Sequence, residues 1–132
     1  LGNKLKTAGD LMLTKSKIPL IHQDQLMKNA IKILNLKKLG FLVVINSNGL
    51  TTGVFTDGDL KRLIRKKKKI DNLKIKYHMT KKPLCVDENM LASEALNQMN
   101  KYKITNICVY NGKNKQKTIG VLHIHNLLSN LN

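Results

Sequence analysis

Apolar and polar positions along this chain follow one order of patterns, and then the order begins again. Pro19-Leu20-Ile21-His22 is a short apolar segment ended by the polar Gln23-Asp24-Gln25, as in a brief strand entering a turn. Leu26, Met27, Ala30, Ile31, Ile33 and Leu34 then recur at helical spacing, which predicts a helix with one apolar face that stops before Gly40. Phe41-Leu42-Val43-Val44-Ile45 is an unbroken apolar run, so that strand should be covered on both faces. Asn46-Ser47-Asn48-Gly49 supplies hairpin chemistry, because Asn and Gly tolerate positive φ. Residues 50–55 predict the returning antiparallel strand, and Thr56-Asp57-Gly58-Asp59 opens a second helix that reaches residue 64.

The second half answers the first. Met12-Leu13-Thr14 corresponds to Met79-Thr80, and Pro19-Leu20-Ile21 to Pro83-Leu84-Cys85-Val86. Leu26-Met27-Lys28-Asn29-Ala30-Ile31 corresponds to Leu91-Ala92-Ser93-Glu94-Ala95-Leu96 at an offset of 65, and residues 39–46 match residues 104–111 at that same offset. Gly53-Val54-Phe55 returns as Gly120-Val121-Leu122, with Leu60 answered by Leu127. The stretch Asn111-Gly112-Lys113-Asn114-Lys115-Gln116-Lys117 stands where the first copy has its tight turn, and predicts a looser one. Two copies of roughly 55 residues are too few for a solenoid, so the expectation is an α/β (α+β) fold of two pseudo-symmetric β-α-β-β-α repeats. The repeats occupy residues 10–65 and 77–132, with a basic linker over 66–76.

Composition narrows what such a pair can be. The 132 residues suffice for one modest core, and 42% hydrophobic content excludes a disordered chain. No apolar run is long enough to span a bilayer and no secretory signal pattern opens the sequence, so the chain reads as cytosolic with no membrane role. Cys85 and Cys108 sit in apolar stretches without metal-ligand spacing; their placement suits small buried hydrophobes and leaves a disulfide open. The formal charge of +16 comes almost wholly from lysine, since only two of the 24 basic residues are Arg. A nucleic-acid binder would favour Arg and interleaved aromatics, yet there is no Trp and only five Phe or Tyr. Arg65-Lys66-Lys67-Lys68-Lys69 therefore reads as a solvated linker, although the positive field would still help to hold anionic ligands.

Gly53-Val54-Phe55-Thr56-Asp57-Gly58-Asp59-Leu60, an apolar strand ending in Gly-x-x-Thr-x-x-Asp before a short helix, resembles the signature of cystathionine-β-synthase-type (CBS) repeats. Two in tandem resemble the Bateman module, in which both repeats pack together and form two clefts. The resemblance covers nearly the whole chain. The longer string from Gly53 to Lys61-Arg62, with Gly120-Val121-Leu122-His123-Ile124-His125-Asn126-Leu127-Leu128, is similar to the CBS pair of bacterial D-arabinose-5-phosphate isomerases. The opening Leu1-Gly2-Asn3-Lys4-Leu5 is similar to that family's junction with its sugar-isomerase domain, so residues 1–9 read as a linker from such a domain. The resemblance implies a longer parent that interconverts D-ribulose 5-phosphate and D-arabinose 5-phosphate on the way to Kdo and lipopolysaccharide. The catalytic residues would then lie outside this chain, which shows no nucleophile, acid–base pair or phosphate-binding loop of its own.

The same resemblance implies a regulatory nucleotide-type ligand, with CMP-Kdo the natural feedback molecule and an adenine nucleotide next. No cofactor is required. In the family, the Thr and Asp of the motif contact ligand hydroxyls and phosphate, which carries over to Thr56 and Asp59. Asp57 lies in the same turn, and Lys61 and Arg62 can neutralise phosphate one turn on. The spacing of Thr56 and Asp59 is equally that of a helix capping box, and both roles can coexist. In the second copy His123 stands where Thr56 stands and Asn126 where Asp59 stands; Asn keeps hydrogen bonding without the carboxylate's charge. His123-x-His125 would aim both rings at one face of a strand, as a metal site wants. With His22 and His78 elsewhere and no carboxylate or Cys at ligand spacing, a sugar- or phosphate-contacting role is the better reading. Three functions stay open: a nucleotide sensor, an architectural module that joins copies (a dimer of this fragment, a tetramer of the parent), and a basic nucleic-acid binder.

Overall fold

Both copies form the β-α-β-β-α order that the periodicity predicts. The computed structural model describes residues 5–131, so most of the expected junction, Leu1-Gly2-Asn3-Lys4, lies outside the described residues. After a short helix α1 (Ala8–Leu11), the first copy runs β1 (Leu20–His22), α2 (Met27–Lys37), β2 (Phe41–Ile45), β3 (Thr51–Thr56) and α3 (Asp57–Lys66). A short strand β4 (Thr80–Lys81) precedes the second copy, which runs β5 (Cys85–Asp87), α4 (Ala92–Tyr102), β6 (Asn106–Asn111), β7 (Asn114–His123) and α5 (Ile124–Asn130). Single 3-10 turns occupy Lys15–Lys17 and Ile75–Tyr77.

The repeat offset is also the offset of the core. Met27, Ala30 and Leu34 of α2 are buried, and so are Ala92, Ala95 and Met99 of α4, each 65 positions on. They face Leu42 and Val44 of β2 in one copy, and Ile107 and Val109 of β6 in the other. Phe41 and Val43 are buried as well, so β2 is covered on both faces as its unbroken run requires. In each copy the first strand pairs parallel with the second and the second antiparallel with the third. Gly49 takes φ +78° in the first hairpin, where Asn46 Oδ1 accepts from the amides of Asn48 and Leu50. The second hairpin is tighter than its sequence suggests. Asn111 pairs with Asn114 across a two-residue connection, and residues 114–117 continue β7 as an exposed ribbon, so the expected loose seven-residue turn does not form. Asn111 Oδ1 accepts from the Lys113 amide at 3.0 Å and so closes the turn, and nothing polar in 114–117 forbids a solvated strand.

The chain forms two compact units that are not simply the two sequence repeats. One is Pro19–Pro83; the other joins the chain up to Ile18 with the chain from Leu84 onward. Each unit therefore contains the segment that precedes the other copy's first strand. In the first of these, β4 pairs with β3 and brings Thr80 opposite Val54. In the other, Leu13 exchanges both backbone hydrogen bonds with Val121, at 2.8 and 3.0 Å, in the equivalent place. The borrowed segments also complete the helices. Leu26 and Leu91 head α2 and α4 with no capping side chain, and the orphan amides of Met27 and Ala92 donate instead to the carbonyls of Leu73 (2.7 Å) and Lys6 (2.8 Å). Ile70 and Leu73 pack on the core and Ile75 is fully buried within it, so the solvent-facing part of the 66–76 linker is its charged and polar residues.

Close approach at two glycines permits this docking. A Cβ on Gly53 would stand 2.7 Å from both Met79 Sδ and the Thr80 carbonyl oxygen, and one on Gly120 would run into Met12 and stand 3.0 Å from the Leu13 carbonyl oxygen. The thioethers can bend aside but the backbone strands cannot. Gly53→Ala is expected to lower unfolding free energy by about 1–3 kcal/mol, read as a reduced urea midpoint at constant m. Gly112→Ala, whose nearest neighbour is the movable Asp87 carboxylate, should stay within about 0.5 kcal/mol of the parent.

Candidate functional site

The polar cluster of the first copy begins where β3 leaves the core. Phe55 is fully buried; Thr56 follows in extended backbone and becomes the N-cap of α3. Its hydroxyl accepts from the Asp59 amide at 3.1 Å, while Asp59 Oδ2 accepts from the Thr56 amide at 3.0 Å, so the capping box forms in full. Asp59 takes two further donors. Arg62 reaches its Oδ1 at 2.6 Å, and the hydroxyl of Thr80, on the borrowed strand β4, lies 3.2 and 3.3 Å from its two oxygens. The carboxylate is only 12% exposed, whereas Arg62 is 63% exposed and keeps most of its guanidinium in water.

The structure thus brings Thr56, Asp59 and Arg62 together. Asp57 and Lys61 are exposed beside them. Asp57 donates its amide to the Gly40 carbonyl at 3.0 Å, and its carboxylate lies so near Gly40 that a Cβ there would stand 2.7 Å from Oδ2. Gly40 also holds φ +67°, so glycine is required twice over. Chemically the turn offers a hydroxyl proton on Thr56, an Asp59 carboxylate whose outermost partner is a solvated guanidinium, and the cations of Lys61 and Arg62. That set suits a ligand bearing both hydroxyls and phosphate. Thr80 was not anticipated; its match to Thr14 in the repeat was the only signal.

The second copy is built differently. His123 ends β7 and is the N-cap of α5, without a side-chain cap, and His125 already belongs to the helix. The expectation that both rings project from one strand face is therefore corrected: the helix starts immediately after His123. The rings still meet edge-on, with centroids 5.1 Å apart. His123 Nδ1 lies 2.8 Å from Asn106 Oδ1, and the Asn106 amide nitrogen donates to Thr105 Oγ1 at 3.3 Å. That orientation of the amide places the imidazole proton on Nδ1 and leaves Nε2 as a lone pair. Asn106 is the buried polar residue of this unit, 6% exposed, and was not foreseen because it sits where Phe41 stands in the first copy. Asn126 donates to the Leu11 carbonyl at 2.6 Å and accepts from Asn130 at 3.2 Å, so its amide is committed within the fold. Burial, then the charge of His125, hold His123 below the ordinary imidazole range.

Elsewhere the chemistry is dispersed. His22 bonds Ser47 and the Asp24 amide, and Asp24 pairs with Lys76 at 2.8 Å. Among the described residues no three His, Cys, Asp or Glu converge as metal ligands, and no helix is long and apolar enough to cross a membrane. The basic run is exposed, and Arg65, Lys66, Lys67 and Lys68 line an open hollow with Ile64 and Ile70 at the end of α3.

Comparison with known proteins gives a consistent picture. The sequence model of the CBS domain matches residues 8–66 and again 73–132. An arabinose 5-phosphate isomerase, KdsD, of Yersinia pestis is 35% identical over 129 residues, which is 97% of this chain and 38% of that protein. The chain thus spans well under half the length of this relative. Among solved structures, CBSX2 in complex with AMP superposes with a TM-score of 0.77 at 25% identity, covering 94% of each chain. The CBS-domain protein ATU1752 of Agrobacterium tumefaciens superposes with a TM-score of 0.84 at 17% identity, covering 98% of this chain and 96% of its own.

A depressed imidazole has a pH consequence. The unfolded chain takes up the proton first, near pH 6.5, so His123 contributes stability that is complete above that value and is lost as pH falls through its lower folded value. The thermal midpoint should fall between pH 7.5 and 5.5, and His123→Gln should flatten the slope. His78, lowered mainly by burial, acts in the same direction and accounts for what slope remains. A His123 ring signal titrating at or above 6.5 by NMR would contradict this.

Proposed function

This chain belongs to the CBS-domain family, as a tandem pair, and from that premise we propose that it is the regulatory ligand-binding module of an arabinose-5-phosphate-isomerase-type protein. The parent would interconvert D-ribulose 5-phosphate and D-arabinose 5-phosphate in the cytoplasm, using residues outside this chain, and the pair would sense a nucleotide. The Thr56–Asp59–Arg62 cluster at the start of α3 carries the reading. Asp59 would accept from a ribose diol, Thr56 would donate its hydroxyl, and Arg62 with Lys61 would neutralise phosphate. The AMP in the CBSX2 complex favours an adenine nucleotide; CMP-Kdo has no comparable support. In the second copy, His123, His125 and Asn126 would contribute at most neutral hydrogen bonds. Regulation would work through differential affinity for two arrangements of the parent, typically about 1–3 kcal/mol.

Calorimetry tests this directly. AMP or ATP should bind, Asp59→Asn should weaken binding about tenfold or more, and Arg62→Ala should erase the preference for AMP over adenosine. Absence of heat with AMP, ATP and CMP-Kdo alike would remove the sensor role.

A second role is favoured by large apolar side chains left on the surface of equivalent helices, Leu36 on α2 (75% exposed) and Tyr102 on α4 (52% exposed). These fit association with a second copy of the chain, a dimer of the fragment and a tetramer of the parent. Light scattering should give a dimer mass that falls towards the monomer in Leu36→Glu, and an unchanged monomer in both would exclude it.

A further inference from the structure

Cys85 and Cys108 come together in a way the ligand-binding reading does not use. They are register partners on the parallel strands β5 and β6. Register partners on adjacent strands project from the same face about 4.8 Å apart at Cα, inside the roughly 4.4–6.8 Å span a disulfide needs. Val86 and Val109, the next pair along, belong to the helix-covered core, so the two sulfurs share the opposite sheet face. In the first copy the equivalent register pair is Leu20 and Val43, so packing in this fold does not itself call for sulfur at these positions.

The two thiols are unequal. Cys108 is 1% exposed while Cys85 is only half-buried, so a small oxidant meets Cys85 first. A hydrogen bond from Cys108 holds the Cys85 thiol below its ordinary range; that same bond, with burial, pushes the Cys108 thiol well up. An accessible, more acidic sulfur beside a protonated buried one is the arrangement of an attacking and a resolving cysteine.

We propose that Cys85 and Cys108 form a reversible redox dithiol that closes into a β5–β6 disulfide under hydroperoxide. The Cys85 thiolate attacks a peroxide oxygen; the O–O bond breaks, a sulfenic acid forms, and the departing hydroxide takes up the proton that Cys85 released. The Cys108 sulfur then attacks the Cys85 sulfur, the S–O bond breaks, and water leaves with the Cys108 proton. Two thiols are oxidised by two electrons and one hydrogen peroxide becomes two waters. The new bond staples β5 to β6 and closes the loop that contains α4. Thiol–disulfide exchange with a dithiol reductant reopens it.

The test treats the chain with equimolar hydrogen peroxide, then denatures and alkylates it with iodoacetamide, with and without dithiothreitol, and reads intact mass. The expected result is a monomer short by two hydrogens, with both thiols blocked to alkylation and both restored by dithiothreitol. Cys108→Val, which restores the residue type found at the equivalent position, should stop at a Cys85 sulfenic acid that dimedone captures. Two alkylatable thiols after peroxide, Cys85-linked dimers alone, or an overoxidised Cys85 beside a free Cys108 would each overturn the proposal. The parent chain's mass decides the matter even where the variant fails to fold.

Discussion

The architecture depends on two places where a side chain is missing. Gly53 and Gly120 occupy the same position in the third strand of each copy, and each admits a methionine and a backbone segment that a Cβ would block. Through that approach Thr80 reaches Val54 and Leu13 reaches Val121. Once the borrowed segments are seated, other features follow from them. Lys15 and Lys82, at matching places after those segments, both hold left-handed backbone at φ +53°. The carbonyls of Lys6 and Leu73 meet the amides that leucine N-caps cannot satisfy. A polar side chain in the first turn of each final helix also binds the borrowed segment, Asp59 through Thr80 and Asn126 through the Leu11 carbonyl.

Local regularities were legible in the sequence and long-range pairings were not. Helix α2 and its counterpart α4 follow from apolar spacing, strand β2 from an unbroken run, and the 65-residue offset locates equivalent buried positions in both. The capping box at Thr56 follows from four residues in a row and appears as written. Met12 and Met79 were visible as repeat-matched residues, but nothing within a dozen neighbours says which copy's glycine each docks on. That choice is made by pairing across more than 100 residues for Leu13 and Val121. His123 and His125 misled for a related reason. Strand alternation and a helix start differ by a single residue at the end of β7, and polar residues can serve either.

Asymmetry between the copies sets how firmly each polar cluster is held. In the first copy the outermost bond is between the largely buried Asp59 carboxylate and a largely solvated Arg62. Thr56 and Thr80 hold the carboxylate independently of that guanidinium. In the second copy the Asn126 amide is spent on the carbonyl of Leu11, a buried residue. Freeing that amide strands an acceptor at about 1–3 kcal/mol, and the neighbouring imidazole prefers to be neutral. A neutral hydrogen bond from Asn126 would do little to offset that loss. The same turn in the same fold therefore ends on a solvated guanidinium in one copy and on a backbone carbonyl in the other.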